Sequence, residues 1–437
     1  MNINTPKLVA LKTIGVLLII MLVFSCGNQP EAAKKTTENP VEKALTAKEI
    51  LGNPKYLAIS YGGYRQNTRA AQPTVAELKE DMKILAAMGI GILRTYNVQL
   101  PHAENVLEAI RQLKKEDATF EMYVMLGAWI NCENAWKDKP NHEKEDVAGN
   151  TGEIKRIVKL ANQYPDIVKV IAVGNEAMVH WAATYFVRPN IILKWVNHLQ
   201  GLKQANKLPK DIWITSSDNF AAWGGDGKEY HQEDLEKLIK AVDYVSLHIY
   251  PMHETHYKPD FWGVFEGEEQ LSDIAKVAIA MNRAKDFGIA QYQKTDNYIK
   301  SLGLEKPIHI GETGWASSSN GFYGNDGTKA TDEYKEGLYY KLMRDWTAEK
   351  GMACFYFEAF NENWKDEKNP GGSENYFGLF DMKGQAKFPI WDLVDKGAFD
   401  GLTNRGNKVV KTYGGDKAAL LKEVQLPPSK GKILSKK

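Results

Sequence analysis

Residues 168–176 read VKVIAVGNE, an apolar run that ends abruptly in Gly-Asn-Glu. Two other segments have the same character, YVSLHIY at 244–250 and ACFYFEAF at 353–360. In all three, both alternating faces of the run are apolar. This pattern is typical of strands that are buried on both sides of a parallel sheet. Parallel strands need long crossover connections, so helices are expected in the segments between these runs.

Eight strand-like runs alternate along the chain with longer segments of helical periodicity. The predicted strands are 57–61, 91–96, 120–126, 168–173, 212–216, 244–249, 307–310 and 352–357. Eight such units predict a (β/α)8 TIM barrel. An open doubly wound sheet is the alternative, but it usually carries a glycine-rich phosphate loop after its first strand. Residues 60–65 read SYGGYR there and do not form such a loop.

Two glutamates directly follow apolar strands, Glu176 after strand four and Glu312 after strand seven. Barrel active sites lie at the carboxyl ends of the strands, so both side chains are expected at the mouth. Two facing carboxylates are the requirement for glycoside hydrolysis. Arg94, at the end of strand two, would keep one of them anionic. Asn175 supplies an amide for a sugar hydroxyl.

Composition narrows the class of ligand. The 437 residues contain 56 Lys and Arg against 55 Asp and Glu, which argues against a nucleic-acid partner. Aromatic residues make up 11% of the chain, which fits both sugar stacking and an ordinary core. Trp129, Trp315 and Trp364 are candidate stacking surfaces. His253 and His256 lack the spacing of a metal-binding helix, so neither a metal nor a cofactor is predicted.

Several motifs occur in order at the spacing of barrel strands. They include RTYN at 94–97, VGNE at 173–176, IGETGW at 310–315 and FYFEAFNENWK at 355–365. Together they resemble glycoside hydrolase family 17, the β-1,3-glucanases and related glucanosyltransferases, over roughly residues 56–394. The resemblance implies a retaining mechanism, with Glu176 as acid/base and Glu312 as nucleophile.

The resemblance also implies a set of cleft residues, with Glu358 and Glu362 either in the cleft or behind it. With Trp129 added as a stacking surface, the predicted substrate-binding residues are Tyr61, Arg94, Tyr96, Trp129, Asn175, Tyr250, Trp315, Glu358, Glu362 and Lys365. The expected function is a retaining endo-β-1,3-glucanase acting on laminarin-like glucan. A β-1,3-glucanosyltransferase and a non-catalytic glucan-binding lipoprotein are the alternatives.

The N-terminus predicts export and lipidation. Lys7 and Lys12 precede an apolar run at 14–24 that is too short to span a membrane. Ser25 and Cys26 follow, similar to the lipobox of bacterial lipoproteins. We therefore expect a monomer that is lipid-anchored to a bacterial membrane. An outer-membrane position exposed at the cell surface is consistent with its expected substrate. The predicted parts are a signal peptide at 1–25, a lipidated Cys26 and flexible tether at 26–50, a catalytic domain at 51–400 and a basic extension at 401–437.

Two further cysteines remain, Cys132 and Cys354. One follows a strand and the other opens a strand, so a parallel barrel places them at opposite ends. A disulfide needs Cα atoms within about 7 Å. Both thiols are therefore predicted to be free.

Overall fold

The computed structural model describes residues 45–430. The predicted signal peptide, the lipidated Cys26 and most of the tether lie outside the described residues. Eight parallel strands close into one barrel in the order β1-β8-β7-β6-β5-β4-β3-β2, and Ile59 pairs with Tyr356 where the barrel closes. The predicted TIM barrel is confirmed. The strands are β1 Leu57–Ser60, β2 Ile90–Arg94, β3 Tyr123–Ala128, β4 Val168–Asn175, β5 Trp213–Asn219, β6 Val245–His248, β7 Ile308–Thr313 and β8 Cys354–Tyr356.

The helices begin where the sequence supplies caps. Thr74 and Glu77 form a reciprocal capping box, and Ser272 caps the longest helix. None of the helices within 45–430 combines the length and apolar character needed to cross a membrane. The α-helices are α1 Ala47–Ile50, α2 Val75–Ala87, α3 His102–Glu116, α4 Val147–Gln163, α5 Pro189–Gln204, α6 Glu233–Ala241, α7 Pro251–Tyr257, α8 Asp273–Ser301, α9 Glu333–Glu349, α10 Trp391–Asp395 and α11 Lys417–Lys422.

A separate cluster of buried side chains contains alternate strand residues such as Ile92, Met125 and Val170, together with Ala47 and Ile50 of α1. Alternate residues of a strand share one face, so these strand side chains form a layer of their own within the barrel. Helix α1 is therefore part of the packed domain. It lies in the stretch 26–50 that was expected to be tether, so the packed chain starts before residue 51.

The segment after residue 400 also packs on the barrel. Val409 and Leu420 are buried between its lysines, and Ser429 forms a bridge with Val264. The sequence predicts only a basic extension here. The segment packs because its apolar residues, which are spaced among the basic ones, cover apolar surface. The charged ends of its lysine side chains reach solvent.

The connection from β3 to α4 contains a hairpin that the sequence analysis did not predict. Cys132–Glu133 pairs with Asn141–Glu145 in an antiparallel two-stranded sheet. Its strands are short and polar, so they lack the apolar alternation by which strands are recognised. Cys132 and Cys354 are both buried and free, as predicted.

Candidate active site

Glu312 lies near the end of β7 and is held by three donors. Its Oε2 accepts hydrogen bonds from the Arg94 guanidinium and from the Tyr96 hydroxyl, the latter at 3.0 Å. Its Oε1 accepts from the Tyr250 hydroxyl at 2.7 Å. Arg94 is itself fixed by a 2.9 Å bond to the carbonyl of Gly311. The carboxylate therefore has one defined orientation.

These donors also fix the charge of Glu312. Burial works to raise the pKa of this carboxyl, but the charges of His248 and Arg94 and the hydrogen bond from Tyr250 outweigh it and lower the pKa to about 2. Glu312 is consequently an anion at neutral pH. Two donors occupy Oε2 whereas one occupies Oε1, so Oε1 retains a lone pair that can attack an electrophile.

Glu176 directly follows β4, and the last residues of this strand need a glycine. Gly174 has φ +84°, and a Cβ there would lie 2.8 Å from the Cβ of Ala177. Glu176 itself has φ +46°, and its amide donates to the Ser217 carbonyl at 2.9 Å. Its side chain is 15% exposed, and Oε1 lies 3.1 Å from Nδ1 of His248. The turn thus presents Glu176 to solvent at the mouth.

Two polar residues that were not predicted as site residues support Glu176. His248 contacts it through Nδ1 and, through Nε2, lies 2.7 Å from the hydroxyl of Ser217. The buried Asp218 carboxylate accepts from the amide of Met178 at 2.7 Å, which holds the turn after Glu176. Burial raises the pKa of Asp218 well above its usual range. The positions of Asp218 and His248 at the ends of strands five and six were the sequence signal that could have identified them.

Arg94 links the two halves of the site. Its Nη2 donates to the Asn175 Oδ1 at 2.5 Å while its Nη1 holds Glu312. The amide nitrogen of Asn175 has no protein acceptor among residues 45–430, so it is available to a ligand hydroxyl. Arg94, Tyr96, Asn175 and Tyr250 are therefore brought together around Glu312.

Glu176 and Glu312 line one cavity of about 760 Å³ at the barrel mouth. Trp181, at the rim, is 62% exposed. A cavity of about 810 Å³ lies outside the barrel beside α2, and it contains none of the predicted site residues. The other side chains lining the mouth cavity are Asn219, Tyr250, His253, Glu254, Tyr257, Lys258, Gln291, Tyr323, Phe357, Glu374 and Phe377.

Glu358, Glu362 and Lys365 form a buried charged cluster next to Tyr96. Lys365 Nζ lies 3.1 Å from Glu358 and 3.8 Å from Glu362. Burial raises the pKa of both carboxyl groups. Oε1 of Glu358 is buried and has no hydrogen-bond partner in the described part of the chain. Glu362 instead accepts a hydrogen bond from the amide of Tyr64 at 3.0 Å, so it supports the loop after β1.

Replacing Lys365 with Met is expected to destabilise the fold by about 3 kcal/mol or more at pH 7, because two buried carboxyl groups lose their cation. The loss should shrink as the pH falls, since protonated carboxyls need no partner. Urea unfolding at pH 7 and pH 5 measures it. Lys341→Met is the control, since Lys341 pairs with Asp345 on the surface. Equal midpoints for both variants would contradict a supporting role for Lys365.

Two aromatic residues that were predicted to bind substrate are also buried and do not line the mouth cavity. Trp315 is fully buried, packs against Trp262 and Tyr339, and donates through Nε1 to the carbonyl of Ala330 at 2.8 Å. Tyr61 is equally buried. The prediction was wrong for Trp315 as a stacking surface, because its ring turns from the strand end into the layer beneath α9.

The hydroxyl of Tyr61 donates to Asp81 Oδ2 at 2.8 Å, behind the mouth. Its expected place in the cleft is therefore also corrected. Trp129, in contrast, is half-buried at the mouth, and its ring centroid lies 5.2 Å from that of Tyr185. Among residues 45–430, no three His, Cys, Asp or Glu side chains are grouped to hold a metal ion. His253 instead stacks on Tyr250, and His256 stacks on Phe322.

The protein family described as "BtgE/BtgC glycoside hydrolase domain" matches residues 58–378. The chain belongs to this glycoside hydrolase family. A curated member, the glucan endo-1,3-beta-glucosidase btgC of Emericella nidulans, is 24% identical over 319 residues, which are 71% of this chain and 41% of that protein. The chain spans about two fifths of the length of this protein and of the other btgC proteins that it matches.

Solved structures of this glycoside hydrolase fold include an endo-laminarinase from Formosa Hel1_33_131. It is 65% identical, with a TM-score of 0.87, and the alignment covers 88% of this chain and 98% of that one. A glycoside hydrolase family 17 beta-1,3-glucanosyltransferase from Rhizomucor miehei is 18% identical, with a TM-score of 0.53 over 77% of this chain and 96% of that one. The second match shows a shared fold.

Proposed function

We propose that this glycoside hydrolase is a retaining endo-β-1,3-glucanase that hydrolyses laminarin-like β-1,3-glucan. The observation that carries the proposal is the pairing of Glu176 with an anionic Glu312 in one open cavity. The 65% identity to an endo-laminarinase over nearly its whole length supports the substrate and the endo action. The motifs shared with family 17 support the assignment of the two carboxylates.

In the first step, Glu176 donates its proton to the glycosidic oxygen while Oε1 of Glu312 attacks the anomeric carbon. The bond to the leaving sugar breaks, and a covalent glucosyl ester forms on Glu312. The amide nitrogen of Asn175 is placed to bind a hydroxyl of the reacting sugar. Arg94 and Tyr96 keep the attacking carboxylate ionised until the ester forms.

In the second step, Glu176 is a carboxylate and takes a proton from water, which attacks the anomeric carbon and breaks its bond to Glu312. The β configuration is restored and Glu312 leaves as an anion. His248 contacts Glu176 in both steps and holds its orientation. No step needs a cofactor.

Product analysis on linear and branched β-1,3-glucan tests the proposal. A ladder of short oligosaccharides whose first products are β-anomers supports retaining endo-hydrolysis. Products longer than the starting oligosaccharide would favour a glucanosyltransferase, and binding without turnover would favour a glucan-binding protein. First products with the α configuration would overturn the retaining mechanism.

The Tyr250→Phe variant should shift the acid limb of the activity profile. Because the pKa of Glu312 is about 2, this carboxyl group is already deprotonated in the wild type above pH 3. Removing the Tyr250 hydroxyl takes a donor from the charged form, so the pKa rises and the acid limb of kcat/KM moves to higher pH. At pH 7 we expect a loss of about tenfold or more in kcat/KM.

The kcat/KM of the Tyr250→Phe variant is measured from pH 3 to pH 8. Tyr292→Phe is the control, because Tyr292 packs on Trp346 at the outer helices. A variant profile without an acid limb above pH 3, as in the wild type, would contradict the role given to Tyr250.

We also propose that the enzyme is a monomeric lipoprotein, anchored through Cys26 to the bacterial outer membrane and exposed at the surface. The apolar run at 14–24 and the Ser25-Cys26 pair support this proposal. A Cys26→Ala variant should lose incorporation of labelled fatty acid and leave the membrane fraction. A variant that remains membrane-bound would contradict the anchor.

A further inference from the structure

Three aromatic rings form a stack at one side of the barrel mouth, in which the Trp129 ring is tilted by 44° from the Tyr185 ring. The Tyr185 ring lies between Trp129 and Trp136, with centroid distances of 5.2 Å and 5.0 Å. Trp136 and Tyr185 are nearly parallel, at 22°. Tyr185 is buried, whereas Trp136 is 61% exposed. One broad indole surface therefore remains open to solvent.

This stack begins next to the catalytic pair. Trp129 directly follows β3, which pairs with β4, the strand that leads to Glu176. Tyr185 lies in the loop after Glu176, and that loop is closed by a 2.7 Å bond from the amide of Val187 to the carbonyl of Ala177. Burial raises the pKa of Tyr185, and the neighbouring carboxyl groups of Glu176, Asp218 and Glu312 add to this shift. The three rings thus run from the reacting carboxylates outward to the surface.

The backbone holds Trp136 in place before any ligand arrives. Its φ is +65°, a conformation that bulky side chains rarely adopt, and its amide donates to the carbonyl of Thr184 at 2.8 Å. The amide of Cys132 donates to the carbonyl of Tyr185 at 3.2 Å, which ties the hairpin to the loop after Glu176. The backbone of Trp136 is strained, and its indole is exposed. This combination is typical of a ligand-binding site rather than of core packing.

We propose that Trp136, supported by Tyr185, is a distal sugar-binding subsite that stacks on a glucosyl ring of the β-1,3-glucan chain several units away from the cleaved bond. The subsite rests on the proposed function and extends it to long chains. The apolar C–H face of a pyranose is the surface that a flat, exposed indole binds. Because Trp136 lies outside the mouth cavity, only a chain long enough to pass over the hairpin reaches it.

The test compares Trp136→Ala with the wild type on two substrates, a long linear β-1,3-glucan and laminaritriose. We expect KM for the long glucan to rise about tenfold, with kcat unchanged and with kcat/KM for laminaritriose unchanged. Trp136→Phe keeps a ring and should recover most of the lost affinity. Tyr413→Ala is the control, since Tyr413 is an exposed aromatic residue on the C-terminal segment.

The outcomes distinguish a failure of the proposed function from a failure of the subsite alone. A wild-type enzyme that leaves both substrates intact would overturn the proposed function and the subsite with it. A wild type that cleaves the long glucan, beside a Trp136→Ala variant with unchanged KM for it, would overturn the subsite alone. An equal loss on both substrates would also overturn it, because that pattern indicates damage to the catalytic centre.

Discussion

The Glu312→Gln variant is expected to lose at least about 10⁴-fold in kcat/KM on β-1,3-glucan. A neutral amide cannot form the glucosyl ester, and it gives Arg94 no anionic partner in place of the carboxylate. The amide has nearly the size of the carboxyl group, so the fold should persist. Release of reducing ends measures the loss, and circular dichroism checks that the variant is folded.

A direct label identifies the nucleophile independently of the rate. A 2-deoxy-2-fluoro glucosyl donor slows the second step, so the wild type should accumulate a covalent adduct on the peptide that contains Glu312. Glu349→Gln, an exposed glutamate at the end of α9, is the matched control and should keep wild-type activity. An adduct on another carboxylate would reject Glu312 as the nucleophile.

Replacing Glu176 with Gln is expected to reduce turnover of β-1,3-glucan by about 10²–10⁴-fold, the usual contribution of a general acid. The loss should depend on the leaving group. A sugar alcohol needs protonation as it departs, whereas an activated aryl oxide does not, so the first step on an aryl β-glucoside should stay near the wild-type rate. Burst kinetics with the aryl substrate measure this step separately.

Azide provides the second readout for Glu176. A small anion needs no general base, so it should restore turnover of the aryl substrate by Glu176→Gln and release a β-glycosyl azide. Glu254→Gln is the comparison variant, because Glu254 lines the same cavity. It should alter KM without changing the leaving-group dependence. The same loss on both leaving groups for Glu176→Gln would disprove its role as the acid.

The positions of the barrel strands could be predicted because each strand contains a short run rich in apolar residues. Their ends were less predictable. Strand five was expected at 212–216 and extends to Asn219, because Ser217 and Asn219 pair with Ser246 and His248 although they are polar. Hydrophobic patterns stop where the strand begins to supply polar groups to the mouth, which is also where the site begins.

The sequence by itself determined the eightfold alternation of strands and helices and the strand-end positions of Glu176 and Glu312. These features depend on local periodicity, which neighbouring residues define. Only the tertiary structure decided which side chains meet there. Arg94 and Glu312 are separated by 218 positions, and Trp315 turns into the core although its motif ends at the mouth. Such contacts depend on how distant strands and loops pack, and no local pattern records that packing.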